Sequence, residues 1–319
     1  LELKRYANGH DILLFGDMPI FVAHDSADVW AHQEYFDLRP GGRPATVAGV
    51  PPDYFSSTGQ LWGNPLYRWQ RMREDGFSWW IRRFQASLAF YDIIRVDHFR
   101  GFEAYWEIPA EEPTAVKGRW VHSPGQPFFD AVRDALGELP IIAEDLGVIT
   151  PEVEKLRDDN GLPGMKVLQF AFAGGAGDPY LPHNYPRNSV VYSGTHDNDT
   201  TLGWYAKAPA RERDFVRRYL ARSDENIAWE LVRLANASIA DMAIAPLQDV
   251  LGLGSEARMN TPGQAFGNWG WRLLPEQLEY WVAPSLREMA TLYGRLPDDG
   301  PQDTPYRQSA THSEVEQDA

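Results

Sequence analysis

The stretch Ile93-Ile94-Arg95-Val96-Asp97-His98-Phe99-Arg100-Gly101-Phe102 governs how the rest of the chain is read. A β-branched apolar run carries one cation at Arg95, ends on a carboxylate at Asp97 and breaks at Gly101. A short apolar run bounded in this way reads as a buried strand of a parallel sheet, delivering its charge to the C-terminal mouth. Arg95 lies two residues before Asp97, so the alternation of side chains along a strand puts both on one face.

The pattern recurs. Pro140-Ile141-Ile142-Ala143 runs into Glu144-Asp145 before Leu146-Gly147, and Ser189-Val190-Val191-Tyr192-Ser193-Gly194 runs into Thr195-His196-Asp197-Asn198-Asp199. The three acidic ends follow one another at intervals of roughly 50 residues, enough for a βαβ crossover of about 30 residues or more. Asp11 to Asp17, Gly164 to Phe172 and Asp241 to Val250 supply three further candidate strands, with helical patterns at 77–91, 127–137, 211–221 and 224–240 between strands. Parallel strands that bring carboxylates to one face describe a (β/α)8 TIM-type barrel, an α/β fold whose active site lies at that face. Six strands are two short of closure.

Around this frame, residues 1–8 read as a helix stopped by Asn8-Gly9, Ser26 opens a short helix, and Thr150-Pro151 reads as a helix start with Thr150 as N-cap. Residues 37–66 form a Gly- and Pro-rich segment, expected to be a long loop of the functional kind; its aromatic content sets it apart from disordered sequence. A Trp- and Pro-containing excursion spans 103–120, and a last helix runs from about Pro284 to Tyr293. The domain expectation is one partial barrel over 1–295 and a disordered polar tail over 296–319.

Composition bounds the function. The 319 residues are 43% hydrophobic and 13% aromatic, enough for a sizeable core. A formal net charge of −15 disfavours nucleic acid and an anionic membrane surface as partners, because like charges repel, and leaves a neutral ligand unaffected. Zero cysteines exclude disulfides, thiol catalysis and Cys-ligated zinc, and fit a cytoplasmic setting. No apolar run approaches the roughly 20 residues of a membrane span. The first residue is Leu1, inside helix-like sequence, so the expectation is that an N-terminal part, with any targeting segment, is missing.

Asp97, Glu144 and Asp197 meet the requirements of glycosidic bond chemistry. A retaining mechanism needs one carboxylate as nucleophile and one carboxylic acid to protonate the leaving oxygen, about 5 to 5.5 Å apart, and a third acid can hold sugar hydroxyls. Arg95 would keep Asp97 ionised and oriented, while Glu144 in a drier setting would keep its proton near neutral pH. The competing reading makes each acid a helix cap or an ion-pair partner; it is the better one for any single acid and loses ground when three follow apolar runs. His196, beside Asp197, could donate to a sugar hydroxyl, and Tyr54 and Trp62, in a Gly/Pro loop, could stack on a sugar ring.

Five motifs occur in order between about residues 11 and 275: Gly16-Asp17-Met18-Pro19-Ile20-Phe21-Val22-Ala23; Val50-Pro51-Pro52-Asp53-Tyr54-Phe55 with Gln60-Leu61-Trp62-Gly63-Asn64-Pro65; Arg95-Val96-Asp97-His98-Phe99-Arg100-Gly101; Ala143-Glu144-Asp145-Leu146-Gly147; and Thr195-His196-Asp197-Asn198-Asp199. Together they closely resemble the amylomaltases, the 4-alpha-glucanotransferases of glycoside hydrolase family 77 in the α-amylase superclan. The resemblance implies a retaining transfer of α-1,4-glucan segments between maltooligosaccharides, starch or glycogen chains. It implies Asp97 as nucleophile, Glu144 as general acid/base and Asp197 as transition-state stabiliser. Arg95 and His196 then match residues that orient the nucleophile and hold the donor glucose, and Asp17 matches the first superclan region. Tyr54, Gln60 and Trp62 match the active-site cover that shapes acceptor binding. Neither a metal nor an organic cofactor is expected. The family has further barrel strands before the position of Leu1, so the six strands here are expected to be strands three to eight.

Three rivals stand beside this expectation. An amylase-like hydrolase would use the same carboxylates with water as acceptor. A metal-dependent barrel enzyme would use Asp17, Asp97, Glu144 and Asp197 as oxygen ligands, which a cation at Arg95 opposes. A non-catalytic glucan binder, the third, goes with a truncated chain and would keep its function in the intact protein with Asp97→Asn and Glu144→Gln.

Overall fold

The structure, a computed structural model, describes residues 1–52, 56–264 and 266–296. Tyr54 and the expected tail from residue 297 onward lie outside the described residues. The chain divides into two compact units, one up to Pro163 and one from Gly164.

The first unit opens with α1 (Glu2–Asn8), β1 (Phe15–Pro19), α2 (Ala27–Ala31), β2 (Thr46–Val50) and β3 (Gln60–Pro65). There follow α3 (Trp69–Glu74), α4 (Ser78–Phe90), β4 (Ile93–Asp97), β5 (Ala104–Pro109), β6 (Arg119–His122), α5 (Gln126–Leu136), β7 (Ile141–Ala143) and α6 (Pro151–Asp159). β1, β4 and β7 pair in parallel in that order. Ile94 and Val96 of β4 are buried, and the run of four buried residues from Ile93 marks a strand covered on both faces. Helix α4 lays Trp80 and Phe84 on this core, where Trp80 meets Phe102 at 5.3 Å and Phe128 at 5.5 Å between ring centroids.

The second unit contains β8 (Gly164–Val167), β9 (Ser189–Tyr192), α7 (Thr201–Lys207), α8 (Ala210–Leu220), α9 (Ile227–Ala237), β10 (Met242–Ile244), α10 (Leu247–Val250) and α11 (Val282–Leu292). β8, β9 and β10 form a second three-stranded parallel sheet with β9 in the middle. Its core gathers Leu168, Phe172, Val191, Val216 and Leu231. All six expected strands are present, and the described residues form two three-stranded parallel sheets rather than a closed barrel.

The departures from expectation have local or non-local causes. β1 starts at Phe15 rather than Asp11, because Asp11 takes a left-handed turn at φ 58° and the Leu14 N–H is taken by the Asp92 carboxylate at 2.7 Å. β10 ends at Ile244 because Pro246 starts α10. Val167 ends β8, with a 3-10 turn over Leu168–Phe170. Thr150 stands at the N-cap of α6, but its side chain makes no capping bond.

The larger correction is a four-stranded antiparallel sheet, ordered β3-β2-β5-β6, in the segments expected to be a loop at 37–66 and an excursion at 103–120. β2 pairs with β5 from far along the chain, a match that no local periodicity encodes. Gly49 is required at the β2–β3 contact: an added Cβ would lie 2.2 Å from the Gln60 carbonyl oxygen and 2.6 Å from Ile108 Cδ1. No described helix is long and apolar enough to cross a membrane.

Candidate active site

The register of the first sheet builds one cluster. Asp17 on β1 lies opposite Arg95 on β4, and Arg95 and Asp97 share a strand face. The Arg95 guanidinium therefore reaches both: Nη1 donates to the two Asp17 oxygens at 2.7 and 2.6 Å, and Nη2 donates to Asp97 Oδ1 at 2.8 Å. The Arg95 side chain is only 8% exposed, whereas Asp17 and Asp97 are 45% and 42% exposed. The cation is buried and the carboxylates open towards solvent. Burial works against the Arg95 charge, but Asp97, Asp17 and Glu144 outweigh it and hold the guanidinium above its ordinary value.

Glu144 follows β7 and is buried. Its backbone is stitched to the end of β4, with the Glu144 N–H donating to the Val96 carbonyl and the Phe99 N–H donating to the Glu144 carbonyl, both at 3.1 Å. His98 takes a left-handed conformation, φ 53° and ψ 50°, and its N–H donates to Glu144 Oε2 at 2.7 Å. Leu146 N–H donates to Oε1 at 2.8 Å. Both backbone donors favour the carboxylate, as does Arg95. Burial first, and the Asp97 charge second, win over them and push Glu144 up to about 7.

The His98 ring is buried, and burial with the Arg100 charge lowers it to about 3, so it is a neutral imidazole near neutral pH. Trp62 of β3 meets it edge to face at 4.8 Å, and Trp62 Nε1 donates to Gln60 Oε1 at 3.0 Å. Trp62 is 37% exposed, leaving ring surface open to a ligand.

In the second unit, Asp197 and His196 lie on the loop between β9 and α7. His196 Nε2 stands 3.5 Å from Asp197 Oδ2, Asn260 Nδ2 donates to Asp197 Oδ1 at 2.5 Å, and Arg258 Nη2 donates to the Asp197 carbonyl at 2.7 Å. Trp269 lies 5.2 Å from the His196 ring.

This geometry can be set beside known proteins. The family model described as 4-alpha-glucanotransferase, glycoside hydrolase family 77, matches residues 1–277. The chain belongs to glycoside hydrolase family 77. It is 59% identical over 302 residues to a 4-alpha-glucanotransferase of Thermus thermophilus, covering 92% of this chain and 60% of that protein. It is 58% identical over 298 residues to one from Synechocystis sp., covering 92% and 59%. An amylomaltase from Streptococcus agalactiae, solved in complex with acarbose, superposes with a TM-score of 0.90 at 41% identity over 93% of this chain and 60% of that one. The chain thus spans about 60% of the length of these relatives.

Within this family-77 chain, the first unit brings together Asp17, Arg95, Asp97 and Glu144, with Trp62, itself bonded to Gln60, against the adjoining His98; the second brings together His196 and Asp197. Sequence reasoning missed Asn260, Arg258 and Trp269, which sit in a segment without a strand-and-acid pattern. It also paired Arg95 with Asp97 alone, where the guanidinium is shared with Asp17. The adjacency of Asp17 and Arg95 depends on register between strands far apart in sequence.

Proposed function

We propose that the protein is a 4-alpha-glucanotransferase acting on α-1,4-glucans by a retaining double displacement. The observation that carries this reading is the split between two neighbouring carboxyls: Asp97, held by a buried guanidinium and open to solvent, and Glu144, buried and raised to about 7. Different environments assign different roles to like groups. Asp97 attacks the anomeric carbon of the donor while Glu144 protonates the departing glycosidic oxygen, giving a covalent glucosyl-enzyme. Glu144, now ionised, takes the proton from the 4-hydroxyl of an acceptor glucan, which displaces Asp97 and restores the anomeric configuration. Asp197, oriented by Asn260, stabilises the positively charged transition state, and Arg95 holds the Asp97 carboxylate in place. His196 and Asp17 belong to the donor side. Gln60 and Trp62, together with Tyr54 outside the described residues, form the acceptor side.

This reading takes the two parallel sheets to be strands three to eight of a (β/α)8 barrel within a catalytic domain over 1–295, as the motif resemblance implies. Arg95 already supplies the positive charge between Asp17 and Asp97, so the chemistry is assigned to side chains without a metal or organic cofactor. The reaction is placed in the cytoplasm, with maltooligosaccharides, starch or glycogen as donor and acceptor.

Incubation with maltotriose tests the reading. Transfer yields glucose together with a ladder of longer maltooligosaccharides, whereas reducing ends that rise without longer products would identify a hydrolase and reject it. Asp97→Asn and Glu144→Gln are each expected to slow formation of the ladder by about 100-fold or more.

A further inference from the structure

Asp249 lies outside every motif and is 1% exposed. Its carboxylate accepts three hydrogen bonds: from Ser193 Oγ at 2.6 Å, from the Thr201 N–H at 2.7 Å and from Thr201 Oγ1 at 2.7 Å. Ser193 is the residue after β9 and Thr201 the first of α7, so one carboxylate closes both ends of the loop that carries His196 and Asp197. The Thr201 N–H is one of the donors that an α-helix leaves without an intrahelical partner at its start, and a carboxylate suits it.

The adjacent residue does related work. Gln248, also buried, donates from Nε2 to the Ala257 carbonyl at 3.3 Å, holding the turn that leads into Arg258 and Asn260. Those two residues fix the carbonyl and the carboxylate of Asp197. Consecutive residues on the short helix α10 thus hold both segments that set the Asp197 side chain. A fully buried carboxylate is costly to desolvate, and an apolar residue of similar size would fill the space without that cost. Its presence calls for a role that packing alone does not supply.

We propose that Asp249 is a positioning residue for the transfer reaction, acting through the 193–201 loop to hold Asp197 where positive charge develops on the sugar. This rests on the glucanotransferase reading above and adds to it a residue that does not touch substrate. Mispositioning a charged group by about 1 Å costs on the order of 100-fold in rate, so the effect belongs in the chemical step rather than in substrate affinity.

The test uses maltosyl fluoride as donor. Its first turnover releases one fluoride per competent site as Asp97 takes the sugar, so the burst amplitude counts folded, active protein and the burst rate reports the chemistry. Asp249→Asn keeps the shape and one acceptor for the Thr201 N–H; Ser193→Ala and Thr201→Val each remove one hydroxyl tie and guard against an Asp249 variant that fails to fold. The expected result is a burst rate per competent site reduced about 10- to 100-fold for Asp249→Asn, with smaller losses for the two hydroxyl variants and KM for maltotriose within about 2-fold of the parent in all three. Burst rates equal to the parent in all three variants would overturn the proposal, even if burst amplitude or melting temperature fell, since that pattern marks a structural role only. A parent protein that forms no covalent intermediate and makes no ladder from maltotriose overturns the glucanotransferase reading itself.

Discussion

Glu144 illustrates how one residue couples stability to chemistry. Its folded value of about 7 lies above the ordinary 4.5, so between these pH values the folded state holds more protons than the unfolded chain. Stability from this group is complete below about pH 4.5 and is lost as pH rises through about 7, by on the order of 3 kcal/mol. Urea titrations of the parent and of Glu144→Gln across pH 4 to 8 check this: the variant should lack that component of the pH slope. In the proposed mechanism this is also the proton delivered to the leaving oxygen, so turnover of maltotriose should fall above about pH 7, and Glu144→Gln should lower it by about 100-fold or more while sparing the first step with a fluoride donor. Arg95 separates the two effects. Asp17 and Asp97 are nearly half exposed and can rehydrate when the guanidinium is removed. Arg95→Met should therefore cost only about 1–2 kcal/mol in a melting experiment, while reducing the rate by about 100-fold, because the proposed nucleophile Asp97 loses its guanidinium bond. The shared face of Arg95 and Asp97 was legible from their spacing. A drier setting for Glu144 was expected from the chemistry, but the backbone N–H of His98, turned onto its carboxylate by a left-handed conformation, was not legible.

Among the elements, the antiparallel sheet is the part least visible in sequence and the part that presents Trp62. Gly49 stands where β2 and β3 come closest, and a methyl group there meets the Gln60 backbone at 2.2 Å. Gly49→Ala should destabilise the protein by about 2 kcal/mol through forced separation of the two strands, and should raise KM for acceptor sugars by displacing Gln60 and Trp62. Trp62→Ala isolates the second effect: loss of one stacking contact of about 1 kcal/mol corresponds to a several-fold rise in acceptor KM, with thermal stability little changed because the ring is 37% exposed. Comparison of acceptor kinetics and melting curves for the two variants separates strand pairing from ring contact. The parallel strands could be read because a strand buried on both faces leaves a continuous apolar run, as at Ile93–Asp97 and Ser189–Tyr192. β3, with four exposed residues at its start, carries no such signature, and β2 finds its partner in β5 only when the chain folds.

For the molecule as a whole, the net charge of −15 responds to salt whereas the neutral glucan proposed as substrate does not. Added salt should screen repulsion among surface charges yet leave KM for maltooligosaccharides unchanged, because no long-range steering acts on an uncharged ligand. Initial rates at 10 and 300 mM sodium chloride check this, and a several-fold shift in KM would count against a neutral glucan as the substrate. The sequence by itself determined the α/β class, the six apolar strands and the acids at their ends, because hydrophobic periodicity and its punctuation are local properties. It also determined membership of the family, through motifs that need no folding to be recognised. Only the tertiary structure decided that Arg95 is shared between Asp17 and Asp97, that Glu144 is dry enough to hold a proton near neutrality, and that Asp249 closes the loop of Asp197. Each of these depends on strand register or on burial between segments tens of residues apart, and electrostatics follows distance and desolvation, which a linear chain does not contain.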